Sequence, residues 1–263
     1  MTAFSITTLA LSGLLCVQDT RPDTPPDPAR VTRTCEALKE SLTKGTPEEA
    51  VAALHEAKDI LHPDVIASID KYGLRHKDLS VRTKAIEALG RMGHDNALKA
   101  LHKLDKRDKK LLRDEPVLYA TLLREIARHG SESSIDILTR DLFGVRDKNV
   151  TRTRILGLGK IRSKKSVDEL IQLMRSTRAG RANDHFADFR LSLVALTGVD
   201  KGENSEYWIN WYGDQKRSLK IAPRMAPLPK TLDRRWKQFW DESEARGRNK
   251  DGERKKGDRK KRK

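Results

Sequence analysis

Three stretches of this chain superpose in register, and that recurrence limits the fold more than any other property. They read LSVRTKAIEALGRMGHDNALKALHKL, PVLYATLLREIARHGSESSIDILTRDL and NVTRTRILGLGKIRSKKSVDELIQLM, anchored on Val81, Leu118 and Val150. Five columns hold throughout: Val81/Leu118/Val150, Leu89/Ile126/Leu158, Arg91/Arg128/Lys160, Leu98/Ile135/Val167 and Leu101/Leu138/Leu170. The anchors are spaced by 37 and then 32 residues, which is the period of stacked helical repeats.

Each copy reads as two helices. Val81, Ala85, Ala88, Leu89 and Met92 follow a single 3.6-residue stripe, and Leu98, Leu101 and Leu104 begin a second one. Gly93 and Gly130 stand where a left-handed C-cap ends the first helix. One amphipathic pair cannot bury its own apolar face, so the pairs must stack. The segment VRTKAIEALGRMGHDNALKAL, residues 81–101, resembles the HEAT-like repeat of the phycobilisome-lyase type. The later copies depart from it: Arg154 replaces Ala85, and Arg162 replaces Gly93.

The flanks extend the array. Pro47–Ile60 and Pro63–Tyr72 predict a degenerate helix pair, with Pro47 in the first turn after Thr46. Phe186, Val194 and Gly198 repeat the columns of Val81, Leu89 and Gly93, so FADFRLSLVALTG predicts a further first helix. Its partner carries YWINWY, where Trp208, Trp211 and Tyr212 form either a ligand clamp or, on the favoured reading, an apolar end cap. The string LTGVDKGENSEYWINWY resembles the segment that closes HEAT-like arrays in exported bacterial proteins. Aromatic residues make up only 5% of the chain and charged residues 35%, which suits a thin two-layer stack better than a deep cofactor pocket.

The expected organisation is a signal peptide at 1–18, a proline-rich linker at 19–29 and the solenoid at 30–220. A linker with a short helix around Trp236, Phe239 and Trp240 follows at 221–242, then a basic tail at 243–263. Residues 3–17 are short, apolar and uncharged, and a polar proline-rich stretch follows, which is the layout of a secretory leader cut between Cys16 and Arg21. The leader lacks an N-terminal cation and a small-x-small site, which leaves a cytoplasmic leader as the alternative to export to the periplasm or cell envelope. After such a cut Cys35 is the one remaining cysteine, so no internal disulfide is expected.

Net charge is +16 and unevenly placed. The tail concentrates it in Arg254, Lys255, Lys256, Arg259, Lys260, Lys261, Arg262 and Lys263, a composition that predicts disorder and salt-sensitive attraction to polyanions. Within the repeats, the column Arg91, Arg128 and Lys160 predicts a basic binding ridge beside Arg82, Lys84, Arg124, Arg152 and Arg154. The competing explanation is local, because a cation in the last turn of a helix complements its carbonyl end at ~0.3 to 1 kcal/mol.

No residue set points to catalysis, a cofactor or a metal. His55 and His62, near Asp59 and Asp64, lack a closed ligand set. The cluster Asp184, His185 and Asp188 is equally explained by Asn183 or Asp184 as a helix N-cap. Gly157 and Gly159 sit inside a helical pattern, out of context for phosphate binding. HEAT-like repeats also occur in bilin lyases and helical alkylpurine glycosylases, but no residues of either carry over to this chain. The expectation is therefore an all-α, right-handed α-solenoid of about four to five HEAT-like helix pairs. It would act as a non-catalytic scaffold for an unidentified protein partner. Its tail would meet an anionic polymer, nucleic acid or membrane surface. The alternative is a sequence-independent nucleic-acid-binding protein.

Overall fold

The computed structural model describes residues 26–176 and 179–240. The expected signal peptide at 1–18 and tail at 243–263 lie outside the described residues, as does most of the 19–29 segment. Among the described residues there is helix and no strand. The first elements are α1 (Pro28–Thr43), α2 (Pro47–Ala57), α3 (Pro63–Ser68) with a π turn (Ile69–Gly73), α4 (Leu79–Arg91) and α5 (Asp95–Arg107). Then come α6 (Lys109–Asp114), α7 (Pro116–Arg128), a 3-10 turn (Glu132–Ser134) leading into α8 (Ile135–Thr139), α9 (Lys148–Lys160) and α10 (Lys164–Ser176). The series closes with α11 (Ala179–Thr197), α12 (Ser205–Gln215) and a last helix, α13, described over residues 230–240.

The helices form two layers. α2, α4, α7, α9 and α11 pack side by side as the first layer, while α3, α5, α8, α10 and α12 form the second. α1 closes the N-terminal end against α2 and α3. The starts are set by short polar side chains. Thr46 and Glu49 form a capping box ahead of Pro47, and the Asp78 and Asp147 carboxylates accept from the first amides of α4 and α9. The ends follow the expected glycines: Gly93, Gly130 and Gly198 have φ of 53°, 67° and 73°. In the third copy the chain leaves α9 through an extended Ile161 instead, so Arg162 needs no left-handed backbone.

The column of Leu89, Ile126 and Leu158 is fully buried, each side chain contributing about 1.5–3 kcal/mol to the stack. Immediately after it runs a column of small residues, Gly90, Ala127, Gly159 and Ala195. These let neighbouring first-layer helices approach closely. A Cβ on Gly159 would lie 2.8 Å from the Cα of Ser192 on α11, and the Ser192 hydroxyl donates to the Ile155 carbonyl at 2.9 Å. The tryptophan pair is built into the far end: Trp208 is fully buried and donates to the Gly202 carbonyl at 3.1 Å, with Trp211 edge-on at 5.9 Å. Tyr212 ties that end to Asp168 of α10.

Two local expectations are corrected. Asn183 and Asp184 do not stand at a helix N-terminus, because α11 already begins at Ala179. Arg124 and Arg154 are not surface cations: they are 7% and 3% exposed and belong to the interior.

Candidate functional site

Arg91, Arg128 and Lys160 are the last residues of α4, α7 and α9, where each cation complements the carbonyl end of its helix. They also lie in a row on the first layer, and α13 covers part of that row. Trp236, Phe239 and Trp240 sit at i, i+3 and i+4, which gives the short helix one aromatic face. All three are buried and join the common core. The Arg128 guanidinium donates to the Trp240 carbonyl at 3.1 Å and lies 5.8 Å from its ring, while the Lys160 ammonium is 5.3 Å from the same ring. Further along, Arg152 stands 5.6 Å from the Phe239 ring. α13 thus crosses α11, α9 and α7 in turn, advancing toward α4.

The docking is anchored by charge pairs. Asp188 on α11, 6% exposed, is met at 3.4 Å by both Arg152 of α9 and Arg235 of α13. The His185 imidazole lies 3.5 Å from the same carboxylate. Asp188, singled out in the sequence with Asp184 and His185, therefore holds first-layer helices and α13 together. Glu125 on α7 is 1% exposed and pairs with Arg128 at 2.8 Å and Arg124 at 3.3 Å. Gly90 makes room for it, since a Cβ there would fall 2.2 Å from the carboxylate.

The substitutions that break the repeat pattern have similar work. Arg154 fills the position of Ala85 and donates from one nitrogen to the carbonyls of Ile137 at 2.8 Å and Arg140 at 2.8 Å. Its second nitrogen donates to the Tyr119 hydroxyl at 2.7 Å, and Tyr119 and Arg140 both reach the buried Asp105. Burial pushes the Arg154 guanidinium below, and the Tyr119 phenol above, their ordinary ranges. Arg162 donates to the Ala195 and Leu196 carbonyls at 2.9 and 3.1 Å, and to Ala222 in the returning linker at 2.6 Å. It replaces a C-capping glycine of its own helix with a cap on the next one.

Several other residues of interest turn out to be structural. His62 and His94 accept from the amides of Asp64 and Asn96 and so cap α3 and α5, while His55 meets Lys58 at 2.9 Å. Gly157 and Gly159 lie within α9 at helix contacts. The tail cations Arg254, Lys255, Lys256, Arg259, Lys260, Lys261, Arg262 and Lys263 lie outside the described residues.

Beyond Arg128 the row continues to Arg91 and a groove of about 290 Å³ between α2 and α4. Val51, Leu54 and Ala88 line it with His55, Lys58, Lys84, Glu87 and Arg91. What sequence reasoning missed is the seat of α13. Its signal was present in the one-sided spacing of Trp236, Phe239 and Trp240, an apolar face too large for a helix in a solvated linker.

Comparison with curated proteins gave no match. The family model for the PBS lyase HEAT-like repeat matches residues 81–106, which span α4 and α5. This match falls on one unit of an all-helical array of repeated pairs, which supports a HEAT-like repeat protein.

Proposed function

We propose that the protein is a non-catalytic interaction scaffold, exported to the periplasm or cell envelope, whose basic tail meets anionic partners. The observation that carries this reading is α13. The first layer holds an aromatic helix of its own chain between cations supplied by successive repeats, so its outer face has the shape and charge to hold a helix or extended segment. The buried charged groups support the same reading. Asp105, Asp188 and Arg154 each tie neighbouring helices together, and such ties stiffen a platform.

The tail adds long-range attraction. Its charges would raise encounter rates with acidic surfaces and lose that effect as salt screens them within roughly 10 Å at 0.1 M. The test compares the full chain with one ending at Asp241 by titration against a labelled polyanion at increasing salt. The truncated protein is expected to lose most of the low-salt polyanion affinity while keeping its helical signal and any specific protein partner. If it keeps full, salt-sensitive affinity for nucleic acid, the repeats themselves bind nucleic acid and the scaffold reading fails. Cell fractionation with sequencing of the mature N-terminus tests export, and an intact Met1 chain in the cytosol would remove it.

A further inference from the structure

We infer that the groove between α2 and α4 is a second seat of the kind α13 occupies, taking an acidic peptide segment of a partner that carries one large apolar side chain. The inference rests on the scaffold reading and names the place and chemistry of recognition. Its precedent is the chain itself. One repeat along the layer, the Trp240 ring sits beside Arg128 and Lys160, the row-ending cations of two adjacent helices. Arg91 is the next member of that row, at the end of α4.

The α2–α4 groove reproduces the elements of that seat. Its floor is apolar: Leu54 is 1% and Ala88 4% exposed, with the half-buried Val51 beside them. Its rim carries Lys58, Lys84 and Arg91 against the carboxylate of Glu87, which pairs with Lys84 at 2.8 Å. The rim is therefore net positive even with that pair counted, and a carboxylate-bearing segment is the complementary occupant. At about 290 Å³ the groove lies just under the ~300–1,000 Å³ of pockets for drug-sized ligands. That size suits one aromatic or branched side chain, with neighbouring acids left at the rim. A basic or uncharged segment would gain the floor contact but not the rim, and a bare polyanion would gain the rim alone. The combination is what separates this seat from nonspecific attraction to the tail.

The test uses the full chain and a fluorescein-labelled peptide with one tryptophan followed by glutamates, monitored by anisotropy at physiological salt. Wild-type protein is expected to bind it, and the double substitution Lys58→Glu, Lys84→Glu to weaken binding about tenfold or more. Both residues lie on the rim, so circular dichroism should confirm an unchanged fold. Replacing the peptide's tryptophan by serine should cost a similar factor. Equal binding by the substituted protein, or indifference to the tryptophan, would overturn the proposal and leave only general charge attraction. A third variant reverses Asp241, Glu242 and Glu244 to Lys. If it alone binds the peptide, and wild type does not, the occupant is the chain's own C-terminal segment and the partner assignment is overturned. Failure of these arms while photo-crosslinking from α10 or α12 still captures a specific partner would reject the groove without touching the scaffold reading.

Discussion

Arg128 grips Trp240 at two points, through a hydrogen bond of 3.1 Å to its carbonyl and a guanidinium 5.8 Å from its ring. The same side chain pairs with the buried Glu125 at 2.8 Å, so one residue links the charge interior of α7 to the docking of α13. Arg128→Ala removes a charge-assisted hydrogen bond and a cation–π contact, at a cost of about 1–3 kcal/mol, and takes from the buried Glu125 one of its two arginine partners. The loss should fall on α13 and on the adjoining end of α7. Tryptophan emission should shift to the red and amide exchange over residues 230–240 should accelerate, while α4 and α5 stay protected. Unchanged exchange in α13 would show that Arg128 does not hold it.

Close packing of the first layer predicts opposite outcomes for two glycines. Gly159→Ala forces a Cβ to within 2.8 Å of the Ser192 backbone, and overpacking of this kind costs about 1–3 kcal/mol. Gly213 lies in α12, and a Cβ added there would meet nothing within 4 Å, so Gly213→Ala should stabilise by about 0.5–1 kcal/mol through lower chain entropy. Urea unfolding of the two variants decides the matter, and a destabilised Gly213→Ala would contradict the open space around it.

The repeat period, the pairing of helices and the glycine C-caps were legible because they are local and periodic. Val81, Leu89 and Leu101 recur at fixed spacing, and Gly93 and Gly130 mark where the chain must turn. The site was less legible for a physical reason. Arg154 and Asp188 look like solvent residues in a one-dimensional pattern, because their burial is betrayed by partners far away in sequence. Arg154 meets Tyr119 and the end of α8, and Asp188 meets Arg235. The row of Arg91, Arg128 and Lys160 was visible as a column, but its partial cover by α13 depends on a return of the chain that no periodicity encodes.

That return is fixed by Arg162, which joins Ala222 of the linker to the α11 carbonyls of Ala195 and Leu196. Arg162→Ala should free the linker and cost about 1–2 kcal/mol from charge-assisted hydrogen bonds. Limited proteolysis is the sensitive readout, with faster cleavage expected between Leu219 and Pro229 and little change within α4 to α9. A cleavage pattern identical to wild type would mean that the linker is held elsewhere.

Acidification should loosen the array first through its buried histidines. Burial holds the imidazoles of His129 and His102 below their ordinary range, and this outweighs the Leu89 carbonyl beside His129 and the Asp105 charge near His102. The His129 Nε2 is buried without a hydrogen-bond partner, so charging it would leave a cation unsatisfied between α4, α5 and α7. Both residues take up a proton near pH ~6.5 in the unfolded chain and only at lower pH in the fold. The unfolded state therefore binds more protons in that window, and stability, fully present above about 6.5, falls as pH drops toward the folded-state values. Asp78 and Asp200 act later: hydrogen bonding holds both below the usual carboxylate range, and their contribution is lost only at more acid pH. The urea midpoint should accordingly fall between pH 7 and pH 5, and His129→Gln combined with His102→Gln should flatten that slope. An unchanged slope in the double variant would assign the acid sensitivity to other groups.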